Sequence, residues 1–439
     1  MTFHPKAQCV YHSPMTTYAA FLGHQPLISL AELSAALPDF ALEKMVGTHV
    51  ALFSTNESLG QEFFDTIGGT VVLAEQMPIE GVTLEDIPKV LFNEIGKKRG
   101  KSTFSLRTMG IPGPAVRLLY KRSKQKFRAE HKPCRYVGSE RKPALPVLLH
   151  DTGMLEGKGS MELVLLQIGE EEDIRLWIGR TVAAQNVDKY THRDMEKPVR
   201  DTGVGLLPPK LAQVLLNLGT FLVRNKRGAP PPSKRKQAFT ITVLDPFCGT
   251  GVIPMECLLR GWPILASDIS LKAVNGCTKN IEWIRKEEKI LKKDAASTVW
   301  KQDAAKPFSL PSAALRTGKN LPDVIVTETS LGPPLLRRPT MKDVSKMKTE
   351  SEKLQAAFLE NAAKTLPGVP IVCAWPAWHQ KGGWVRLEKI WTVLEKLGYT
   401  PTLPPGVEPE TPDRVSLFYR RNDQFVGREI VLLMPPESE

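Results

Sequence analysis

The sequence is poor in the residues that would tie it to a secreted, membrane-bound or metal-centred existence. Its six cysteines, Cys9, Cys134, Cys248, Cys257, Cys277 and Cys373, are scattered, with no CxxC pair and no metal-like spacing. That disfavours a disulfide framework and a Cys-based metal site, and suits free thiols in a reducing cytosol. No apolar run approaches the ~20 residues of a membrane span. Residues 1–17 carry little pattern and no secretory signal, so a loose leader on a cytoplasmic protein is expected, with no bound metal. Acidic residues are scarce in one place above all. From Lys89 to Lys142 there are 16 Lys or Arg against the three acids Glu94, Glu130 and Glu140, about the whole of the chain's +12 net charge. Such a local excess is the footprint of a polyanion, nucleic acid before a membrane surface, unless it is simply a solvated face.

What is present is globular. The 439 residues, with 42% hydrophobic and 24% charged content, are enough for two to four domains at roughly 100–200 residues each. One stretch organises the rest. The β-branched run Thr240 to Leu244 stops at Asp245-Pro246, turns through Phe247-Cys248-Gly249-Thr250-Gly251 and enters an amphipathic segment, Met255 to Arg260. That reads as strand, tight loop and helix. Gly249 and Gly251 let the backbone lie against a ligand, and the helix start presents free N–H groups. The loop has neither the Lys-Ser/Thr of a phosphate-binding loop nor GxGxxG, which disfavours a polyphosphate or a dinucleotide. A second buried strand, Pro263 to Asp268, also ends in an acid. Ligands of an open α/β sheet sit at the carboxyl ends of its strands, where an acid can accept both hydrogen bonds of a ribose diol, so Asp268 is the ribose candidate.

Asp245-Pro246-Phe247-Cys248-Gly249-Thr250-Gly251 closely resembles the signature of class I S-adenosylmethionine (SAM) methyltransferases acting on exocyclic amines of nucleic-acid bases. The resemblance implies SAM as cofactor, held by those seven residues with Asp268, and with Asp303, after the strand Thr298 to Gln302, at the adenine amino group. Asp245 would face the methionine moiety.

Upstream, Thr17 to Leu22, Val50 to Phe53 and Thr70 to Ala74 read as strands, with Ser29 as an N-cap, Glu32 three residues on, and a second helix around Ser58 to Ile67. The order suggests a small α+β sandwich. An amphipathic helix from Leu84 to Arg99 and a strand, Ser102 to Leu106, open the basic segment. In it Leu118, Leu119 and Tyr120 fall among Lys121, Arg122, Lys124, Lys126 and Arg128, so one face can pack while the other stays cationic. Met161 to Leu166 and Arg175 to Val182 read as neighbouring strands joined by the acidic turn Gly169 to Asp173, and Gly228 to Lys236 as an exposed Pro-rich basic loop.

Gly179 to Gln185, Tyr190, Arg193-Asp194, Pro198, Arg200-Asp201, Gly205 to Gln213 and Asn217-Leu218 resemble the junction between a THUMP RNA-binding domain and the catalytic domain of the tRNA guanosine-10 N2-methyltransferase family. The resemblance runs from about residue 17 to the C-terminus and is strongest from Gly179 to Asp268. It implies an α/β fold class, a Rossmann-like seven-stranded methyltransferase domain preceded by ferredoxin-like and THUMP α+β domains. The expected boundaries are 1–88 ferredoxin-like, 89–185 THUMP, 186–225 connecting and 226–439 catalytic. It also implies tRNA as partner, bound through Lys121, Arg122, Lys124, Lys126, Arg337 and Arg338; some relatives need an activator subunit, which the sequence leaves undetermined.

Enzymes of this type carry Asp-Pro-Pro-Tyr after the fourth strand, whose carboxylate and carbonyl accept the amine hydrogens while the ring stacks on a flipped base. Here the fourth strand, Asp323 to Thr327, runs into Glu328-Thr329-Ser330-Leu331-Gly332-Pro333-Pro334. Glu328, with Thr329 and Ser330, is the catalytic candidate, and Leu331 offers no π-face. Trp375 or Trp378, after the fifth strand Pro370 to Trp375, could supply one, or could be ordinary packing aromatics. A helix from Val385 to Leu397 and a hairpin, Val415 to Tyr419 with Glu429 to Leu433, are expected to complete the sheet. A DNA or rRNA amino-methyltransferase on the same scaffold, or a non-catalytic RNA-binding protein, stays open.

Overall fold

A computed structural model describes residues 15–169, 174–201, 203, 205–227, 240–311, 321–421 and 423–436. The leader up to residue 14, most of the turn 169–173 and the basic loop 228–236 lie outside the described residues. The chain divides into two compact units. One comprises Met1–Phe21, Asp39–Phe64 and Val71–Gln185; the other comprises Leu22–Pro38, Asp65–Thr70 and Asn186–Glu439.

The first unit is built on an eight-stranded sheet. Its order is Ala41–Val46, Val50–Thr55, Thr16–Leu22, Thr70–Gln76, Arg175–Ala184, Ser160–Ile168, Ser102–Met109 and Cys134–Tyr136. Strands expected on either side of residue 88 therefore share one sheet. Ser160–Ile168 and Arg175–Ala184 pair antiparallel, as neighbouring strands should. The basic run forms the helix Gly113–Ala129, which buries Val116, Leu119, Tyr120 and Phe127 and leaves its lysines outside. The helix expected over Leu84 to Arg99 is broken into a 3₁₀ turn Leu84–Asp86, an α turn Ile87–Leu91 and a π turn Phe92–Gly96. The Phe92 ring lies where a Cβ at Gly96 would be, 2.4 Å away.

The second unit is the seven-stranded Rossmann-like sheet. Its order is Ser297–Lys301, Ile264–Asp268, Val243–Asp245, Val324–Glu328, Ile371–Gln380, Val426–Met434 and Thr400–Thr402, with Gly383–Val385 and Leu417–Tyr419 pairing off this path. The first five strands run parallel, and Val426–Met434 runs against Ile371–Gln380. Thr400–Thr402 takes the edge place, antiparallel to Val426–Met434, while the expected hairpin strand Leu417–Tyr419 is an addition beside Val426–Met434. Both faces are covered: one by the helices Pro209–Arg227 and Val252–Leu259, whose apolar residues pack on Val243, Val324 and Val326, the other by the helix Met341–Thr365, with Phe358 and Leu359 against Leu244 and Ile325.

Ser29 is no N-cap. The helix there starts three residues earlier, Pro26–Ala36, because Pro26 fits its first position, and Ser29 is buried inside it. Glu32, expected as its capping partner, instead accepts the Gly68 N–H at 2.9 Å, the Gly69 N–H at 2.6 Å and the Asn217 amide at 2.7 Å.

Candidate active site

The strand Val243–Asp245 lies at the middle of the parallel sheet, and the chain leaves it through a turn closed by Cys248 N–H to Ser267 O at 3.0 Å and Gly251 N–H to Cys248 O at 2.8 Å. Gly249 and Gly251 both take positive φ, +51° and +89°, the left-handed region that favours glycine. Their surroundings differ. A Cβ at Gly251 would stand 2.7 Å from the Cys277 sulfur, whereas a Cβ at Gly249 would meet nothing within 4 Å. Gly251 is needed by the fold and Gly249 faces open space. Asn280 braces the loop from behind, donating to Thr250 O at 2.8 Å and Val199 O at 2.9 Å.

In front of the loop is a cleft of about 480 Å³, within the range of small-molecule sites. Asp245, Pro246, Phe247, Cys248, Gly249, Thr250, Asp268, Asp303, Glu328, Thr329 and Ser330 all line it, so candidates up to 85 residues apart in sequence meet at the carboxyl ends of strands. Gly251 does not line it. Asp201, Leu206, Leu207 and Leu331 are among the residues that line the rest of it. Five carboxylates thus face the cleft, those of Asp201, Asp245, Asp268, Asp303 and Glu328, and among the described residues lining it none is Lys, Arg or His.

Asp268 fixes the loop by accepting Gly249 N–H at 3.1 Å and Ser270 N–H at 2.8 Å. Asp303 accepts Ala305 N–H at 3.0 Å, with Lys306 3.8 Å from its other oxygen. Asp245 is buried, and desolvation pushes its carboxyl up to about 7. Hydrogen bonds from the Thr327 hydroxyl at 2.6 Å and Phe247 N–H at 3.3 Å oppose that rise, and the charges of Asp268 and Glu328 add to it. The Cys248 thiol is held well above its ordinary value by its hydrogen bond with Cys277 and by burial.

Glu328 is the last residue of its strand and accepts the Arg428 Nε–H at 2.6 Å. Thr329 is tied down rather than presented to the cleft. Its N–H donates to Ala374 O at 2.9 Å, its hydroxyl to the same oxygen at 3.1 Å, and Gln355 donates to the hydroxyl at 2.7 Å. Ser330 is exposed and accepts Gly332 N–H at 3.4 Å. Neither tryptophan is a stacking surface. The fifth strand runs on to Gln380, so Trp375 and Trp378 lie inside it and are fully buried, Trp375 donating to Glu429 at 2.9 Å. The β-branched run alone did not show that extension. Arg337 and Arg338 are exposed on the segment that follows Gly332 and do not line the cleft.

The cationic candidates of the first unit separate into two pairs. Lys121 and Lys124 line a second pocket of about 430 Å³ with Arg117, Arg128 and the half-exposed Tyr136, whose ring lies 5.8 Å from the Lys124 ammonium. Arg122 and Lys126 are outside it and face acids, Glu85 at 3.6 Å and Glu130 at 2.6 Å.

Two sets of residues escaped the sequence reading. Arg428 gave no signal, because its partner is 100 positions away. Tyr190, Arg193, Gln213 and Asn217 were read only as a family junction, and they form a buried polar network behind the glycine loop. Arg193 donates to Glu256 at 2.8 Å, Gln213 to Glu256 at 3.0 Å, Tyr190 to Gln213 at 2.6 Å and Arg260 to Asn217 at 2.9 Å. Glu256 and Arg260 belong to the helix Val252–Leu259 and its cap, so the network anchors the element that carries the loop.

No family model matches the sequence, and no curated protein does. Among solved structures the chain is similar to TrmN from Thermus thermophilus, with 15% identity, a TM-score of 0.48 and coverage of 96% of this chain and 99% of that one. It is similar to a possible methylase from Clostridium difficile 630 at 11% identity and a TM-score of 0.44, over 97% and 99%. Over 58% of its length, and 99% of the other's, it is similar to magnesium protoporphyrin IX methyltransferase from Synechocystis PCC 6803 with bound SAM, at 15% identity and a TM-score of 0.29.

Proposed function

We propose that the chain is a SAM-dependent methyltransferase acting on an exocyclic amine of a nucleic-acid base, guanine N2 in tRNA. The observation that carries the reading is the lining of the cleft: five carboxylates, of which Asp201, Asp303 and Glu328 face Lys272, Lys306 and Arg428 outside it, and no basic residue among those described around an open glycine turn. A polyphosphate cofactor would be repelled there. SAM, with a sulfonium and an ammonium against one carboxylate, is a net cation and suits it.

When bound, SAM supplies an electrophilic methyl group. Asp268 would accept from the ribose hydroxyls, Asp303 from the adenine amino group and Asp245 from the ammonium. Glu328 would accept an N–H of the attacking amine through the oxygen that Arg428 leaves unused, so the protein acts by positioning and by offsetting the charge that develops on nitrogen. In the first unit, read as ferredoxin-like and THUMP domains, the pocket of Lys121, Lys124 and Tyr136 combines cations for phosphate with a ring for a base.

Calorimetric titration with SAM, beside NAD and ATP as controls, tests the cofactor, and mass spectrometry of nucleosides from tRNA treated with the enzyme tests the product. SAM binding with N2-methylguanosine formed is the expected result. Binding of ATP in preference to SAM would overturn the cofactor, and a methylated nucleoside other than a guanosine would overturn the base.

A further inference from the structure

Glu328 has lost the rigidity a proline-bound acid would have. Its side chain has one more rotatable bond than aspartate and is followed by Thr329 and Ser330. Left alone, such a carboxylate would sample many directions, and fixing it would cost conformational entropy at each turnover. The structure supplies a clamp from the strand two places along the sheet.

Arg428, on the antiparallel strand Val426–Met434, donates through Nε to Glu328 Oε1 at 2.6 Å, with both side chains nearly withdrawn from water. The guanidinium is itself held. Its Nη2 donates to Leu206 O at 3.4 Å, and it lies 5.6 Å from the centre of the Tyr419 ring on the neighbouring strand. Arg428 does not line the cleft, whereas Glu328 does.

We infer that Arg428 is a positioning residue for methyl transfer: it occupies one oxygen of Glu328 and leaves the other, ionised and fixed in direction, to accept an N–H of the attacking amine. The inference rests on the reading of the site given above. A protonated Glu328 would turn an O–H donor toward an amine donor, so the site needs the ionised form. The charge-assisted hydrogen bond from the guanidinium holds the direction of that carboxylate. As the amine lone pair makes the new N–C bond, the S–C bonding pair returns to sulfur as a neutral thioether. The nitrogen carries the positive charge until one of its protons leaves to water. Glu328, held by Arg428, stabilises that cation as an anion throughout.

The test compares wild type, Arg428→Gln, Arg428→Lys, Glu328→Gln and the double variant Glu328→Gln/Arg428→Gln. Rates on tRNA are taken together with SAM affinity by calorimetry and melting temperature. Arg428→Gln should keep its SAM affinity and lower kcat on the order of tenfold to a hundredfold, the size of a misplaced group. KM for tRNA should stay unchanged, and Arg428→Lys should recover part of the rate. The double variant should be no slower than Glu328→Gln alone. Wild-type turnover in Arg428→Gln, or a slower rate with no recovery by lysine, overturns the inference while leaving the cofactor reading intact. Failure of the wild-type protein to bind SAM overturns both. If Arg428→Gln does not fold, Arg428→Lys decides: a lowered kcat at unchanged KM for tRNA supports the inference, and wild-type kcat overturns it.

Discussion

Thr327 donates its hydroxyl proton to Asp245 at 2.6 Å, joining the ends of two adjacent parallel strands. That bond is one of only two, with Phe247 N–H, that hold down the proton affinity of a carboxyl which burial has pushed up to about 7. SAM would meet Asp245 as a cation meets an acid, so binding needs the ionised form. SAM affinity should therefore tighten as pH rises from 6 to 8. Thr327→Val removes a hydrogen bond that favours the charged form, and the rise should move to higher pH in that variant. Titrations at a series of pH values check it, and an affinity flat across that range would remove Asp245 from the ammonium site.

The same group sets a stability trade. An acid whose proton affinity is raised in the folded state binds more protons there than when unfolded, so stability falls as pH rises between the two values. For Asp245 the window runs from the ordinary 3.8 up to about 7. Below it the carboxyl is protonated in both states and nothing is lost; above it the penalty is complete. Asp245→Asn should melt near wild type at pH 4 and above wild type at pH 8, while losing SAM. Chemical denaturation at the two pH values measures the difference, and an equal gap at both would show that the carboxyl titrates normally.

Gly249 and Gly251 share a left-handed backbone but differ in what surrounds them, and the two alanine variants should differ likewise. Gly251→Ala drives a Cβ to 2.7 Å from the Cys277 sulfur and should destabilise by about 1–3 kcal/mol. Gly249→Ala meets no protein atom within 4 Å, so its cost is the strain of φ +51° alone, about 1 kcal/mol, and its methyl projects into open space. Gly249→Ala should fold and bind SAM weakly; Gly251→Ala should lose stability first. Melting curves read beside titrations separate the two, and matching behaviour would mean that both glycines serve the turn alone.

Much of this site was legible because its parts are local. The Asp-Pro-Phe-Cys-Gly-Thr-Gly turn and the acids Asp268, Asp303 and Glu328 each follow or end a short run that reads as a strand, and a parallel sheet brings the ends of such runs together. The errors came where a distant residue decided. Ser29 followed by Glu32 has the spacing of a capping box, but the carboxylate is taken by Gly68, Gly69 and Asn217, which no local pattern announces. Trp375 follows a run that looks complete at residue 375, yet pairing with Val426–Met434 carries the strand to Gln380 and buries the ring. Arg428 sits in a strand that is apolar apart from it and Glu429, and only Glu328, 100 positions away, shows why a cation is kept there.

Within the helix Gly113–Ala129 the four cations Lys121, Arg122, Lys124 and Lys126 fall close together in sequence, but the helix turns them apart. Lys121 and Lys124, three residues apart and so on one face, line the pocket with Tyr136, while Arg122 and Lys126 turn to Glu85 and Glu130. Each phosphate neutralised by a protein cation releases counterions and steepens the salt dependence of binding by about one. Lys121→Ala/Lys124→Ala should thus weaken tRNA binding and flatten log Kd against log salt by about two. Arg122→Ala/Lys126→Ala should change the slope less, since those cations already have anions beside them. Tyr136→Ala separates stacking from charge: loss of a base on the ring should cost about 1–3 kcal/mol with the salt slope unchanged. Filter binding of tRNA from low to moderate salt measures all three. Equal slopes in the two lysine and arginine pairs would return the pocket to an ordinary solvated face, and a salt slope altered by Tyr136→Ala would mean that the ring acts by holding Lys124 rather than by taking a base.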